Sequence, residues 1–230
     1  MGNRVTFERA GHGLLEIEIS QGVIAGWTGR NADAVNHHIA ELAEIGVPAP
    51  STVPLYYRVS DLMFTTAPVI QCLDDTSSGE AEPMLIDDGI RLYLGLGSDH
   101  TDRKLEAYSV AHSKQICPKP MAPVLWDFDD VADHLDDIRI RSFIQEAGEW
   151  VPYQEGTLAS IRPLSELLAG SPATHGGTRL QPGTAMMCGT FAVLSGGVRP
   201  ANAFRMEMID DKLGRRIEHG YQMTSLPVIA

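Results

Sequence analysis

Glu80-Ala81-Glu82 opens a stretch that reads as a strand. Side chains at i and i+2 of a strand share a face, so the two carboxylates can converge on one point. Asp99 follows within Ser98-Asp99-His100-Thr101-Asp102, at the end of the next predicted strand. A hairpin turning at Asp88-Gly89 returns Asp99 to the two glutamates. Three carboxylates without basic neighbours repel one another unless a hard divalent cation sits among them, and oxygen-only ligation favours magnesium, manganese or calcium. Charge alternation on strands is common, however, and a solvated strand face with Asp99 as a helix cap is the plainer reading of spacing alone.

Two further features could carry chemistry. His38 and Glu41, at i and i+3 of a predicted helix, are neighbours on one face, where a carboxylate orients an imidazole and raises its basicity. The same pair serves as a surface ion pair on an amphipathic helix. His37 points about 100° away from His38 and is not expected to share its role. Lys114 leaves a second predicted helix into a proline-rich corner, where an ammonium can be held over a site; a lysine facing the negative end of a helix dipole is the commoner case. His100 and the remaining histidines share no ligand spacing. Gly95-Leu96-Gly97 is an incomplete dinucleotide fingerprint, and no Gly-x-Ser-x-Gly elbow is present.

The elements that must position these groups are mostly strands. Arg4–Arg9, Leu14–Ser20 and Val23–Trp27 read as strands between glycine turns, and Leu15-Glu16-Ile17-Glu18-Ile19 alternates as a strand with one wet face. Ala32 to Ile45 reads as a helix capped by Gly46. Pro48, Pro50 and Pro54 hold an extended segment. The Glu80 strand and Ile90–Gly97 form the hairpin, and Thr101–Lys114 is predicted helical. After the prolines come an acidic helix around Asp129–Leu135, a strand near Ile138–Gln145 and a short helix at Pro163–Ala169. Strands at Thr184–Cys188 and Phe204–Ile209 follow, the latter alternating Phe204, Met206 and Met208 with Arg205 and Glu207. The pattern predicts an α+β, strand-dominated fold, a mixed β-sandwich or β-roll with few helices, as one domain over 1–230, with the strands of 1–22 packed on it.

The 230 residues carry 18 Lys and Arg against 30 Asp and Glu, a net charge of −12. Nucleic-acid affinity rests largely on basic side chains displacing counterions, so a nucleic-acid partner is excluded, and no polybasic run points to a membrane surface. Three widely spaced cysteines form no disulfide framework and no zinc spacing, which fits a reduced cytoplasmic protein. Met1 to Ile19 lacks the apolar run of a signal peptide. Leu180–Val198 is uncharged, but its glycines and Pro182 make it a strand with turns rather than a membrane span.

The order Gly29-Arg30-Asn31, His38-x-x-Glu41, Glu80-x-Glu82, Asp99, Lys114, Pro182-Gly183, Gly189-Thr190 resembles that of the fumarylacetoacetate hydrolase superfamily. It is similar in particular to an uncharacterised bacterial family of distant relatives, through Gly97-Ser98-Asp99-His100-Thr101-Asp102-Arg103, Ser113-Lys114-Gln115 with Cys117-Pro118-Lys119-Pro120, and Gly214 to Tyr221. The resemblance covers about residues 23 to 221. It implies a domain like the carboxy-terminal domain of fumarylacetoacetase, with Mg2+ or Mn2+ on Glu80, Glu82 and Asp99. His38, oriented by Glu41, would activate water, and Lys114 would offset developing negative charge. Arg30, Arg58, Gly189 and Thr190 would contact the substrate, a small anionic oxo acid, and a homodimer is implied, with the Met-rich strand at Phe204–Ile209 a possible interface.

The implied reaction is hydrolysis of a carbon–carbon bond in a 1,3-dioxo or 2-oxo acid of acylpyruvate type. A lyase or isomerase on the same site, decarboxylating an oxo acid or dehydrating a sugar acid, is the alternative; a non-catalytic ligand-binding protein of the same fold is the third reading. The departures concern the substrate walls. Asn31 to His38 is about one turn longer than the superfamily pattern, the stretch from Glu82 to Asp99 is shorter, and Tyr57-Arg58-Val59 replaces a lysine-proline pair. Gly183-Thr184 stands where a Gly-Asp is usual, and Cys117-Pro118-Lys119-Pro120 replaces a phenylalanine-rich turn.

Overall fold

The computed structural model describes residues 2–44 and 48–229, and the side chains of His38, Glu41 and Leu42 lie outside the described residues, as does the predicted cap Gly46. The described residues build two main sheets, with three two-stranded pairs beside them. In the larger, eight strands run in the order 13–19, 3–9, 124–127, 92–98, 81–87, 184–187, 21–26 and 55–59. The smaller has five, in the order 149–157, 139–146, 203–210, 215–226 and 69–73.

Alternation along the central strands sends side chains into two cores. Val23, Leu85, Leu94 and Met186 face the smaller sheet and pack with its Ile140, Ile144, Phe204, Met206, Met208 and Ile217. Ile24, Met84, Ile86, Tyr93 and Met187 face the other way, into a core shared with Val5, Phe7, Ile17, Ile19, Tyr57, Val59 and Phe64. Residues from both ends of the eight-stranded order therefore meet in this second core, so the sheet curls round it. Asn3 fastens the curl: its Nδ2 donates to the carbonyls of Asp61, at 3.0 Å, and Phe64, at 2.7 Å. Double coverage explains why Ala81–Asp87 is buried at every position. By contrast Gly13–Ile19 keeps the wet face its alternation predicts, with Glu16 and Glu18 exposed and Ile17 and Ile19 buried.

Three expectations are corrected. The helix predicted over Thr101–Lys114 is two, Arg103–Glu106 and Val110–Gln115, after a short strand at Thr101–Asp102. Ser109 is extended and caps the second helix through the His112 N–H, so the chain restarts there rather than continuing. The acidic helix near Asp129–Leu135 is replaced by 3-10 turns at Phe128–Asp130 and Leu135–Asp137. Two of its carboxylates, and Asp136 just beyond it, go to separate cations: Asp130 to Arg215 at 3.5 Å, Asp133 to Lys212 at 2.6 Å and Asp136 to Arg30 at 2.7 Å. Finally, Phe204, Met206 and Met208 are buried in the chain's own core, so the Met-rich face has no surface left to offer a second copy. Among the described residues no helix is long and apolar enough to cross a membrane.

Candidate functional site

The hairpin of Ala81–Asp87 and Leu92–Ser98 turns at Asp88-Gly89, where Gly89 adopts φ +92°. Its register pairs Glu82 with Gly97 and Ala81 with Ser98. One step further the Asp99 N–H donates to the Glu80 carbonyl at 3.0 Å. Glu80 and Asp99 are thus cross-strand neighbours, and Glu82 lies two residues along on the same face. One oxygen from each of the three carboxylates falls within 4.8 Å of the others. Glu82 is 2% exposed and Asp99 fully buried, while Glu80 is partly covered.

The cluster has basic neighbours that the hairpin alone did not reveal. Lys114, on the helix Val110–Gln115, contacts Asp99 Oδ2 and stands 3.7 Å from Glu80. Lys119 approaches Asp99 Oδ1 at 3.3 Å without the geometry of a hydrogen bond, and instead donates to the carbonyls of His100, at 2.7 Å, and Cys117, at 3.1 Å. Arg103 lies 3.5 Å from Glu80 and 3.0 Å from Glu106, its Nε donating to Ser78 Oγ at 2.7 Å. Arg103 opens the first short helix, four residues after Asp99, and Lys119 lies between Pro118 and Pro120. The Cys-Pro-Lys-Pro motif was visible in sequence; the burial of its lysine was not.

Burial and charge set the protonation of this cluster. Burial, reinforced by Asp99 and Glu80, holds the Glu82 carboxyl well above the ordinary range, against the pull of Lys114 and the Gly189 N–H. Burial pushes Asp99 the same way, but Lys114, Lys119 and Arg103 outweigh it, and its carboxyl is held below the ordinary value. For Lys114, burial is overcome by Asp99 and Glu80, so its ammonium is held more tightly than usual. Lys119 is pushed down by burial, with Asp99 only partly compensating.

The far wall is a strut between sheets. Gly189, at φ +104°, donates its N–H to Glu82 Oε2 at 2.8 Å. A Cβ there would fall 1.6 Å from Thr28 Oγ1, so both conformation and space require glycine. The Thr190 hydroxyl donates to the Ala81 carbonyl at 2.9 Å. Gln154, almost fully buried, accepts from the Ala81 N–H at 3.0 Å and donates to Thr190 Oγ1 at 2.8 Å and the Phe191 carbonyl at 2.7 Å. Sequence reasoning missed Gln154, which carries no motif of its own. Pro182-Gly183 stands at the opposite end of the Thr184–Met187 strand from Gly189.

The structure therefore gathers Glu80, Glu82, Asp99, Lys114 and Gly189, with the Thr190 hydroxyl committed to holding the Glu80–Glu82 strand. It does not bring the two arginines there. Arg30 forms a two-pronged pair with Asp136 at 2.7 and 2.8 Å and donates to the Ile161 carbonyl, and Arg58 is exposed, on the face of its strand opposite buried Tyr57. His38 and Glu41 lie on the helix Ala32–Glu44, their side chains outside the described residues. His100 is buried between Tyr221 and Ser77, at 2.9 and 2.8 Å, with both ring nitrogens engaged.

The donor set suits a hard cation. Three convergent carboxylates supply only oxygen, Asp99 Oδ1 is a buried acceptor with no hydrogen-bond partner, and mutual repulsion is what pushes Glu82 upward after burial.

The fold has close counterparts among solved structures. A proposed fumarylpyruvate hydrolase from Burkholderia cenocepacia superposes with a TM-score of 0.61 at 15% identity, covering 99% of this chain and 97% of that one. A 2-keto-3-deoxyarabinonate dehydratase superposes with a TM-score of 0.63 at 14% identity, covering 94% and 78%. Its complex with magnesium and 2,5-dioxopentanoate gives 0.60 at 13% identity, again covering 94% and 78%. These likenesses show the fold, which is the strand-dominated one that the resemblance in motif order implied. No curated protein sequence matches the chain. Residues 25–221 match the model of a family described as protein of unknown function, DUF2848, and it is to this family that the chain belongs.

Proposed function

We propose that this chain is a divalent-metal-dependent enzyme acting on a small 2-oxo or 1,3-dioxo acid, with hydrolysis of a carbon–carbon bond as the reaction. The observation that carries the reading is the meeting of Glu80, Glu82 and Asp99 within 4.8 Å on one hairpin. With Glu106, which shares Arg103, four carboxylates face Lys114, Lys119 and Arg103, so 3 − 4 leaves the cluster near −1. A magnesium or manganese ion held by Glu80, Glu82 and Asp99 would make it net positive, and so suited to a small anion in a protein of −12 overall. The cation supplies Lewis acidity toward the carbonyl oxygens of a chelating oxo acid. Lys114, rigidly held against Asp99, offsets negative charge that gathers on the substrate as the bond breaks. His38, with Glu41, takes the proton from the attacking water. The structural relative with magnesium and 2,5-dioxopentanoate bound supports the choice of cation and acid class.

Dehydration is the second reading, favoured by the likeness to the sugar-acid dehydratase. It needs the cation and Lys114 but no attacking water. Glu82→Ala should abolish turnover under either reading. Glu41→Gln should cut turnover about 100-fold if water is activated by the dyad and leave it intact if it is not. Purified protein whose melting temperature does not move with magnesium or manganese would count against both. Cytoplasmic location and a homodimer belong to the same proposal, and light scattering showing a monomer at micromolar concentration would remove the dimer.

A further inference from the structure

Tyr57 belongs to two environments at once. One face of its ring lies 5.9 Å from Lys114 Nζ, the ammonium that contacts Asp99 and Glu80. The same residue lines a pocket of about 170 Å³ together with Trp27, Pro50, Leu55, Tyr108 and Val110. Trp27 Nε1 donates to the Tyr57 hydroxyl at 3.1 Å, tying the pocket wall to the ring beside the lysine. Among the described residues that line this pocket none is charged; serines supply the other side-chain polar groups.

Because the Tyr57 ring adjoins both the pocket and Lys114, we infer that the pocket receives the tail of the oxo acid, and that the tail is an uncharged aromatic or branched aliphatic group. The inference rests on the proposed function of the carboxylate site and adds the substrate class. The pocket is of the size that takes a single ring, since apolar cavities of about 150 Å³ bind benzene. Tyr108 is 77% exposed, a large aromatic side chain left in water beside the pocket. Trp27 holds φ +61°, which a bulky residue adopts only where its surroundings impose it, and such conformations gather at ligand sites. A tail ending in a second carboxylate would meet no cation among the described lining residues, and Lys114, beyond the Tyr57 ring, is already engaged by Asp99 and Glu80, which disfavours a dicarboxylic substrate. The larger surface concavity, about 260 Å³, is lined by Glu16, Glu18 and Asp88 and would repel an acid.

Calorimetry on the full chain with magnesium chloride tests this, using three probes: 2,4-dioxopentanoate, 2,4-dioxo-4-phenylbutanoate, and a 2,4-dioxo acid ending in a second carboxylate. The phenyl acid should bind at least about tenfold tighter than the methyl acid, and the dicarboxylate no tighter than the methyl acid. Tyr108→Ala, at an exposed position where folding is not at stake, shortens the pocket wall without adding charge and should remove most of the phenyl advantage over the methyl acid. Magnesium-dependent binding without a phenyl preference, a preference untouched by Tyr108→Ala, or tighter binding of the dicarboxylate would overturn the inference while the carboxylate site stands. Magnesium-independent binding, or none, with Glu82→Ala behaving like the unaltered chain, would overturn the functional reading and the inference together.

Discussion

Lys119 stands with its ammonium 3.3 Å from Asp99 Oδ1, on a side chain that is wholly buried, while Lys114 holds the other oxygen of the same carboxylate. Asp99 is therefore shared between two ammonium groups before any cation arrives. Any divalent ion held by these carboxylates would be opposed by that ammonium by an amount on the order of a few kcal/mol at an effective dielectric near 20, before screening and relaxation reduce it.

Removing Lys119 should therefore favour the metal. Lys119→Met is expected to tighten magnesium binding about tenfold or more by calorimetry. It should also lower folding stability by about 1–3 kcal/mol, because the carbonyls of His100 and Cys117 lose their donor. Weaker magnesium binding would mean that Lys119 chiefly orients Asp99.

The carboxylates were legible in sequence for a simple reason: Glu80 and Glu82 obey the two-residue strand period, and Asp88-Gly89 marks the turn that returns Asp99. What encircles them was not: Lys119 and Gln154 reach the cluster through long-range packing that leaves no local period, and Arg103, only four residues after Asp99, turns back to Glu80 from the start of a short helix that the sequence read as part of a longer one. Core strands misled in the same way. The alternation of Phe204, Met206 and Met208 gives one apolar face correctly, yet sequence alone does not say that the other sheet already covers it. The break at Ser109 was hidden because a serine reads as tolerable in a helix until its hydroxyl is seen capping the next turn.

Glu82→Gln separates charge from shape. The amide oxygen can keep the bond from the Gly189 N–H, so the wall at Gly189 should remain. Magnesium affinity should fall about 100-fold or more with one anionic ligand gone. In unaltered protein, magnesium at about 100 times its Kd should add about 2.7 kcal/mol of stability, and in the variant at the same concentration this gain should shrink to a few tenths. Differential scanning fluorimetry reads both.

Gly189→Ala should damage the site through the backbone. The new Cβ would lie 1.6 Å from Thr28 Oγ1, and φ +104° is a conformation that an L-residue enters only under strain. We expect a loss of about 3 kcal/mol or more in urea denaturation. Pairing it with Thr28→Gly should recover only the steric part, leaving the backbone strain, about 1–3 kcal/mol, in place. Full recovery would show that the dihedral carries no cost.

A second charged cluster, away from the site, should govern acid stability. Asp210, buried, accepts from the Leu213 N–H at 3.1 Å and meets His134 Nε2 at 3.0 Å and Arg215 Nε at 3.2 Å. Arg215 stacks over Trp126 with its guanidinium 4.6 Å from the ring centroid. Burial raises the Asp210 carboxyl, but the Leu213 N–H, His134 and Arg215 outweigh it and hold the carboxyl below its usual value. A depressed folded value means that the native chain binds fewer protons than the unfolded one across that window, so stability rises with pH there. The contribution is complete above the unfolded value of about 3.9 and is lost as pH falls through the folded one. Asp210→Asn should therefore cost about 3 kcal/mol at neutral pH, and the difference from the unaltered chain should shrink below about pH 4. Urea denaturation at neutral, mildly acidic and strongly acidic pH measures it. A difference that stays constant down to the acid limit would show that the cluster uses the shape of Asp210 and not its charge.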